Sequence, residues 1–502
     1  MYSWFHDSAR AHPNRLALSA GDVELTYAEL DRAAASVVLP EPGKPRRAGL
    51  LGQAEAATYV AYLAALRAGV TVVPLNAKNP LSRNADIVRR GELDLLLHTE
   101  AEAGRADALH EATGVPLLLV TGNDRAPVVA PPADPHPEAF AYIVFTSGST
   151  GVPKGVPIRH RHFESWLPHL LDHFATGPEA RVAQTSDLSW DLSVWNMFLA
   201  WGSGGAVVVP SSTDLLMPTR FIVDHEITHW HSTPSSITVA RLLGELGPDS
   251  MPSLRWSVFC GEPLTHDHVH AWSLAAPASR VANVYGQTEV TVSSWVHDVD
   301  LTALPSTAVP IGKPHNGVEW AVISDDGYAA EEGELLVRGP QRFDGYLAPE
   351  HNSGRFVRWE AGVLEECTGE ITPEHWYRTG DRVSVRASDH AYLGRLDGQV
   401  KIRGHRVELG DVEAVLRSHP LVDDAVVVAA RSEVGTYDLA GFHQGGNADE
   451  EVLKEFLSDR LPAHMVPRLL LGCDSFPLSL NGKVDRKRLA EEAVALLATG
   501  AS

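Results

Sequence analysis

Cysteine is nearly missing from this chain: there are three in 502 residues, Cys260, Cys367 and Cys473, with no paired spacing. That excludes a disulfide framework and a zinc ribbon, and it suits a reducing compartment. An excess of basic charge is missing too. The formal net charge is −22, which excludes a general nucleic-acid binder because such a protein needs a basic stripe. A local pocket for a small anion remains compatible with that balance. No apolar run reaches the length needed to cross a bilayer. The N-terminus MYSWFHDSARAHPNRLAL lacks the basic start and apolar core of a secretory leader. The expectation is a cytoplasmic protein with no membrane and no nucleic-acid partner. What is present is ordinary for a globular chain, 44% hydrophobic and 21% charged, and long enough for two or three domains.

Strand-like and helix-like runs alternate over most of the sequence before Tyr392. AATYVAYLAALRAG has the apolar spacing of a helix, and VTVVPL, DLLLHT, VPLLLVT and AVVVP read as short buried strands. Such alternation predicts an α/β architecture with substantially parallel sheets. VVAPPADPHPE, residues 128–138, reads as a surface loop. The pattern changes at YLGRLDGQVKIRGHRVELGDVEAVL, where a Gly- and charge-rich hairpin leads into a helix. DDAVVVAA and a second helix, EEVLKEFLSDRL, follow. This is a compact α+β unit of roughly 100 residues. The predicted division is a large α/β core over residues 1–396 and a small α+β domain over 397–502, with the boundary at Asp397.

One stretch, YIVFTSGSTGVPKG, combines a buried strand with a loop rich in Gly, Ser and Thr. Glycines permit unusual dihedrals, and hydroxyls beside exposed backbone N–H groups suit a phosphate chain, with Lys154 adding a mobile charge. The composition alone favours a plain, flexible Ser/Gly turn. The Walker spacing fails, because Lys154 follows Pro153 and Gly155 comes after the lysine.

Six further motifs follow in order: SWDLSVWNMF, NVYGQTEVTVSSW, GELLVRGPQRFDGYL, YRTGDRV, YLGRLDGQVKIRGHRVELGDVE and LSLNGKVDRKRL. With the Gly-rich loop they resemble the adenylate-forming (ANL) superfamily, and within it the amino-acid adenylation enzymes of nonribosomal peptide synthesis. The resemblance runs from LTYAEL near the N-terminus to NGKVDRKRL. It implies a large N-terminal domain of mixed, mainly parallel α/β layers and a small mobile α+β C-terminal domain. It also implies a two-step reaction with ATP and Mg²⁺. A carboxylate attacks the α-phosphorus of ATP to give an acyl-adenylate and pyrophosphate, and a thiol then displaces AMP.

The roles of individual residues follow from the same resemblance. Thr146, Ser147, Gly148, Ser149, Thr150, Gly151 and Lys154 would cradle the β- and γ-phosphates. Tyr285 would stack on adenine, with Asn283 and Gly286 beside it. Thr288 would contact the α-phosphate, and Glu289 would hold Mg²⁺, a cation that prefers carboxylate and phosphate oxygens. Gln287 stands where the family usually has Pro, a departure expected to affect a turn more than the chemistry. Asp381 would accept both ribose hydroxyls, with Arg395 supporting ribose or phosphate. Lys483 would bridge the acid and the α-phosphate as the nucleophile approaches.

The acid pocket carries over as Asp191, Leu192, Trp195, His231, Val258, Cys260 with Gly261, Val284, Val292 and Ser293, closed by Lys483. Asp191 matches the family's anchor for an α-ammonium, which implies an amino acid. Taken alone, Asp191 before an apolar segment would also suit a helix N-cap. The set is most similar to pockets that take serine, where His and a nearby acid hold the hydroxyl. Here Ser293 replaces that acid, so alanine and glycine remain alternatives. Two other features read as structure: HDHVHAW as a polar helix start rather than a metal site, and RHRHF as a solvated surface.

The expected protein is a freestanding ligase that loads a small amino acid onto the phosphopantetheine thiol of an acyl or peptidyl carrier protein supplied in trans. Transfer to the amine of an aminoacyl carrier protein, and acyl-CoA synthesis, are the alternatives. The two steps compete for space, because Lys483 must reach the carboxylate and a long thiol arm must later take its place. A domain rotation about Asp397 would resolve that conflict. Asp397→Pro, which fixes one dihedral and removes a backbone donor, should preserve pyrophosphate exchange and abolish transfer to the acceptor. Equal loss of both activities in a folded variant would refute the two-state hinge.

Overall fold

Segments such as TVVPL and AVVV are buried along their entire length, as strands covered on both faces must be. The structure, a computed structural model, describes residues 1–40, 47–122, 132–146, 152–174, 177–302, 308–360, 362–386, 389–396, 399–402, 404–431, 436–446, 448–477 and 484–499. Two compact units emerge. One comprises Met1–Ala77, Ile87–Phe145 and Gly155–Leu396, the other Lys78–Asp86, Thr146–Lys154 and Asp397–Ser502.

In the first unit a nine-stranded sheet has a parallel centre. Leu18 pairs with Val207, His231 with Val258, and Val258 with Ala282, all in parallel register. Antiparallel strands close both edges, including Trp295–Asp298 on Arg280–Tyr285. A second sheet contains the parallel strands Leu117–Leu119, Leu95–His98, Arg47–Leu51 and Thr71–Leu75. Helix Ala56–Arg67 is apolar almost all round and buried from Thr58 to Leu66. It packs against Arg47–Leu51 and Thr71–Leu75 of that sheet and against Leu16–Ala20 of the nine-stranded one. An all-apolar helix of this kind belongs between layers. Among the described residues, no helix is long and apolar enough to cross a membrane.

The mainly parallel α/β character holds for this region, but the α/β alternation stops earlier than the sequence pattern predicts. Strands Glu319–Ile323, Glu332–Arg338, Phe356–Glu360, Val363–Glu366, Trp376–Arg386 and Asp389–Arg395 form an antiparallel sheet. Among the described residues no α-helix interrupts them. Segments such as GELLVRG are short apolar runs bounded by glycine, too short for helices.

In the second unit, hairpin Gln399–Ile402/His405–Glu408 leads into helix Leu409–Arg417 and a three-stranded sheet of Val422–Arg431, Tyr437–Gly445 and Leu469–Gly472. One sheet face buries Val427 and Leu439 with Leu416 and Leu453 from the helices. The other buries Val426, Val428 and Phe442 under Leu489 and Ala493. Consecutive residues serve opposite faces, as the period of a strand requires.

RHRHF is not the solvated surface expected of it. It opens helix His160–Phe174, with His162 and Phe163 fully buried. Arg159 Nε and Arg161 Nη2 donate to Asp344 Oδ2 at 2.6 and 2.5 Å, and Arg161 Nε donates to Glu138 at 2.9 Å. Burial alone would raise the Asp344 carboxyl, but its contacts with His162, Arg161 and Arg159 hold it well below the usual carboxylate range. Its contribution to stability is therefore complete above the unfolded pKa of about 4 and is lost as the pH falls below it. At pH 7, Asp344→Ala should lower stability by about 1–3 kcal/mol in urea unfolding. Asp267→Ala, at an 84% exposed carboxylate, should change it by less than about 0.5 kcal/mol. Equal effects would show that the two arginines gain nothing from Asp344.

Candidate functional site

Strand Arg280–Tyr285 ends at a site built on both sides of the sheet. Side chains alternate along it, so Tyr285 and Val284 point to opposite faces. Tyr285 reaches Asp381: its hydroxyl donates to Oδ2 at 2.6 Å. Asp381 pairs in antiparallel register with Arg395 across strands Trp376–Arg386 and Asp389–Arg395. That register lets Arg395 Nη1 donate to Asp381 Oδ1 at 2.8 Å and to the Thr379 carbonyl at 2.8 Å. Burial and the Asp381 charge push the Tyr285 phenol well above its ordinary value, so it stays a neutral donor. Asn283 is used differently, donating Nδ2 to the Val309 and Pro310 carbonyls at 3.2 and 2.8 Å.

Gln287, expected to affect a turn more than the chemistry, also reaches Asp381. Its buried amide donates to Asp381 Oδ2 at 2.6 Å and also to the Tyr285 hydroxyl. Three donors thus converge on one carboxylate. A carboxylate offers about four lone-pair positions, so Asp381 keeps capacity for a further hydroxyl.

The chain then turns sharply. Gly286 lies against the backbone of residues 292 and 293, where a Cβ would come within 2.6 Å of the Val292 carbonyl oxygen and the Ser293 Cα. Thr288–Val290 forms one 3₁₀ turn, and Glu289 within it is fully buried, accepting from the Tyr346 hydroxyl at 2.6 Å. Thr291 and Val292 follow with φ of 55° and 65°. Those values are rare for β-branched residues and cost on the order of 1–3 kcal/mol each. Gln341 holds the turn, donating Nε2 to the Val290 and Ser293 carbonyls at 2.8 and 2.7 Å while its own carbonyl accepts from Thr291 Oγ1 at 2.6 Å. No sequence signal marks Gln341, because its function depends on a fold-level contact.

On the opposite face, His231, Val258 and Ala282 lie side by side on neighbouring strands, as do Cys260 and Val284 one step on. Val258, Cys260, Val284, Val292 and Trp195 share one buried cluster, with Leu192 packed against it. Helix Leu192–Trp201 covers it, with the Trp195 ring 4.2 Å from that of His231. Gly261 follows Cys260 with φ of 86°. Ser293 Oγ accepts from Trp166 Nε1 at 2.9 Å. Asp191 is buried at the start of the helix and makes no capping hydrogen bond to it. Burial first, and then the Asp191 charge, push the Tyr142 phenol well above its usual value. Asp191 thus stands at the N-cap position without the side-chain bond of a cap.

Thr146 ends strand Phe140–Thr146, and Lys154, buried, begins strand Lys154–Arg159. Ser147, Gly148, Ser149, Thr150, Gly151, Asp397 and Lys483 lie outside the described residues. HDHVHAW is a polar helix start: Thr265 and His268 form a capping box, and His268 Nε2 lies 3.0 Å from Thr238 Oγ1.

The family model described as "AMP-binding enzyme" matches residues 5–347, and "AMP-binding enzyme C-terminal domain" matches residues 411–483. Phosphinothricin tripeptide synthetase PhsC of Streptomyces viridochromogenes is 35% identical over 98% of this chain, which spans only 45% of that protein. An L-proline–(L-prolyl-carrier protein) ligase of Pseudomonas fluorescens is 32% identical over 86% of this chain and 85% of its own length. Among solved structures, the Vibrio cholerae adenylation domain AlmE in complex with glycyl-adenosine-5'-phosphate is 26% identical with a TM-score of 0.84. That match covers 98% of this chain and 97% of AlmE.

The three donors on Asp381 generate a testable expectation. Gln287→Glu removes one donor and sets a second carboxylate against the first, so ATP affinity measured by calorimetric titration should fall at least about tenfold. Gln287→Ala should weaken it only about threefold. Unchanged affinity in both would show that the Gln287 amide does not prepare the carboxylate.

Proposed function

Because the chain belongs to the AMP-binding enzyme family, whose members are ATP-dependent, AMP-forming ligases, we propose that it activates a small amino acid as the aminoacyl-adenylate. It then passes the aminoacyl group to the phosphopantetheine thiol of a carrier protein supplied in trans, in the cytoplasm. One observation carries this reading: adjacent residues of a single strand serve two chemically different sites. Tyr285 meets the Asp381 carboxylate, and Val284 lies beside Cys260, whose Sγ is 3.1 Å from His231 Nε2. A nucleotide and an acid bound on these two faces would come together at the strand end, where Thr288 and Glu289 turn the chain. The glycyl-adenylate in AlmE and the proline of the carrier-protein ligase support an amino acid as the substrate.

In this scheme Tyr285 stacks on adenine and Asp381 takes the ribose hydroxyls. Thr288 meets the α-phosphate, and the residues from Thr146 to Lys154 cradle the outer phosphates. Among the described residues no group of three or more His, Cys, Asp or Glu side chains gathers. Glu289, a buried carboxylate, would hold the Mg²⁺ that accompanies ATP, and the ion would offset phosphate charge. Lys483 bridges the acid and the α-phosphate, so charge is neutralised as the oxygen–phosphorus bond forms and pyrophosphate leaves. The thiol next attacks the activated carbonyl, gives up its proton, and AMP departs.

Pyrophosphate exchange into ATP across a panel of L-, D- and β-amino acids tests the proposal. Small amino acids should drive it, and exchange driven only by simple carboxylic acids would sink the amino-acid reading. Asp191→Ala leaves a buried ammonium unpaired, so kcat/KM for the amino acid should fall about 10²–10³-fold while ATP affinity is retained.

A further inference from the structure

The carboxylate of Asp381 and the amide of Gln287 adjoin, and their lone pairs are unequally used. Asp381 is 4% and Gln287 8% exposed. Asp381 Oδ2 accepts from the Tyr285 hydroxyl and from Gln287 Nε2, each at 2.6 Å. A carboxylate oxygen has two lone-pair positions, so Oδ2 is filled. Oδ1 accepts from Arg395 Nη1 at 2.8 Å and keeps one position. The Gln287 amide can stand only one way round. Its Nε2 spends both hydrogens, one on Asp381 and one on the Tyr285 hydroxyl. A carbonyl oxygen in that place would meet the carboxylate acceptor to acceptor. This orientation leaves Oε1 as an acceptor, and it is buried with no hydrogen-bond partner among the described residues. An orphaned acceptor of this kind costs stability unless a ligand satisfies it.

We propose that the ribose diol is shared between two acceptors, one hydroxyl donating to Asp381 Oδ1 and the other to Gln287 Oε1. Gln287 thereby binds the sugar directly, beyond its part in preparing the carboxylate. The inference rests on the reading that this face takes ATP, and it divides the hydroxyls which that reading gives to Asp381. A diol on neighbouring carbons presents two O–H donors side by side, and Asp381 alone has one position left for them. Oε1 and Nε2 share one amide carbon, so the open oxygen stands beside the carboxylate that Nε2 touches. Placement along the chain agrees. Gln287 lies between Tyr285, proposed for adenine, and Thr288, proposed for the α-phosphate, and the sugar of a nucleotide joins those two groups. The two acceptors differ in charge, which gives the arrangement a signature. A hydrogen bond to an ionised acceptor is worth roughly twice one to a neutral acceptor.

Calorimetric titration of the unmodified protein with ATP, 2′-deoxy-ATP and 3′-deoxy-ATP tests the division. Deleting the hydroxyl on Asp381 should weaken binding by about ten- to a hundredfold. Deleting the one on Gln287 should weaken it by only about threefold. Gln287→Ala should erase the smaller penalty, so that this deoxynucleotide binds as well as ATP, and should leave the larger penalty in place. Two equal penalties in the unmodified protein would overturn this inference alone, with no variant required. Penalties that Gln287→Ala leaves unchanged would do the same. If both deoxynucleotides bind as tightly as ATP, or ATP does not bind at all, the nucleotide reading falls and this inference falls with it.

Discussion

The arrangement depends on a strained turn. Thr291 and Val292 hold left-handed backbone conformations that β-branched side chains resist. They do so because Gln341 bonds to the chain at Val290, Thr291 and Ser293. Gly286 makes the geometry feasible by letting the returning backbone pass against it. The strain costs stability, and the surrounding hydrogen bonds offset it, the usual pattern where side chains must be held in unfavourable directions.

The two faces differ in electrostatic character. At Asp381, charge is met by charge and by donors: Arg395, Tyr285 and Gln287 all converge on one carboxylate. At His231, burial keeps the ring neutral, and polarity is handled by amides and a thiol. A buried charge left without a partner is far costlier than a buried neutral dipole. The proposed ligands divide the same way: a nucleotide with hydroxyls and phosphates for the first face, and for the second an acid whose only charge there is the ammonium proposed to meet the buried Asp191.

Much of this was legible in the sequence, for a physical reason. Tyr285, Glu289 and the residues around Asp191 lie in short segments whose local structure is set by neighbouring residues. The strand NVY, the glycine after it and the helix WDLSVW can all be read in isolation. The illegible parts are long-range. Gln341 acts on a turn about fifty residues earlier, and Asp344 neutralises arginines of RHRHF from |i−j| of 185 and 183. Gln287 looked like a substitution in a turn because its partner Asp381 is ninety-four residues away. The antiparallel sheet was missed because period-two strands joined by turns carry no crossover helix to announce them.

The back-to-back placement of Tyr285 and Val284 has a consequence for how such a chain can change. Along strand Arg280–Tyr285 the parity of the residue number decides which face of the sheet a side chain takes. Substitutions at even positions alter the wall that a side chain of the acid would touch, and leave Tyr285 and its carboxylate in register. If the proposed sites hold, selectivity can drift through single replacements while the nucleotide-facing residues stay fixed, one face of a sheet acting as a variable surface and the other as a constant one.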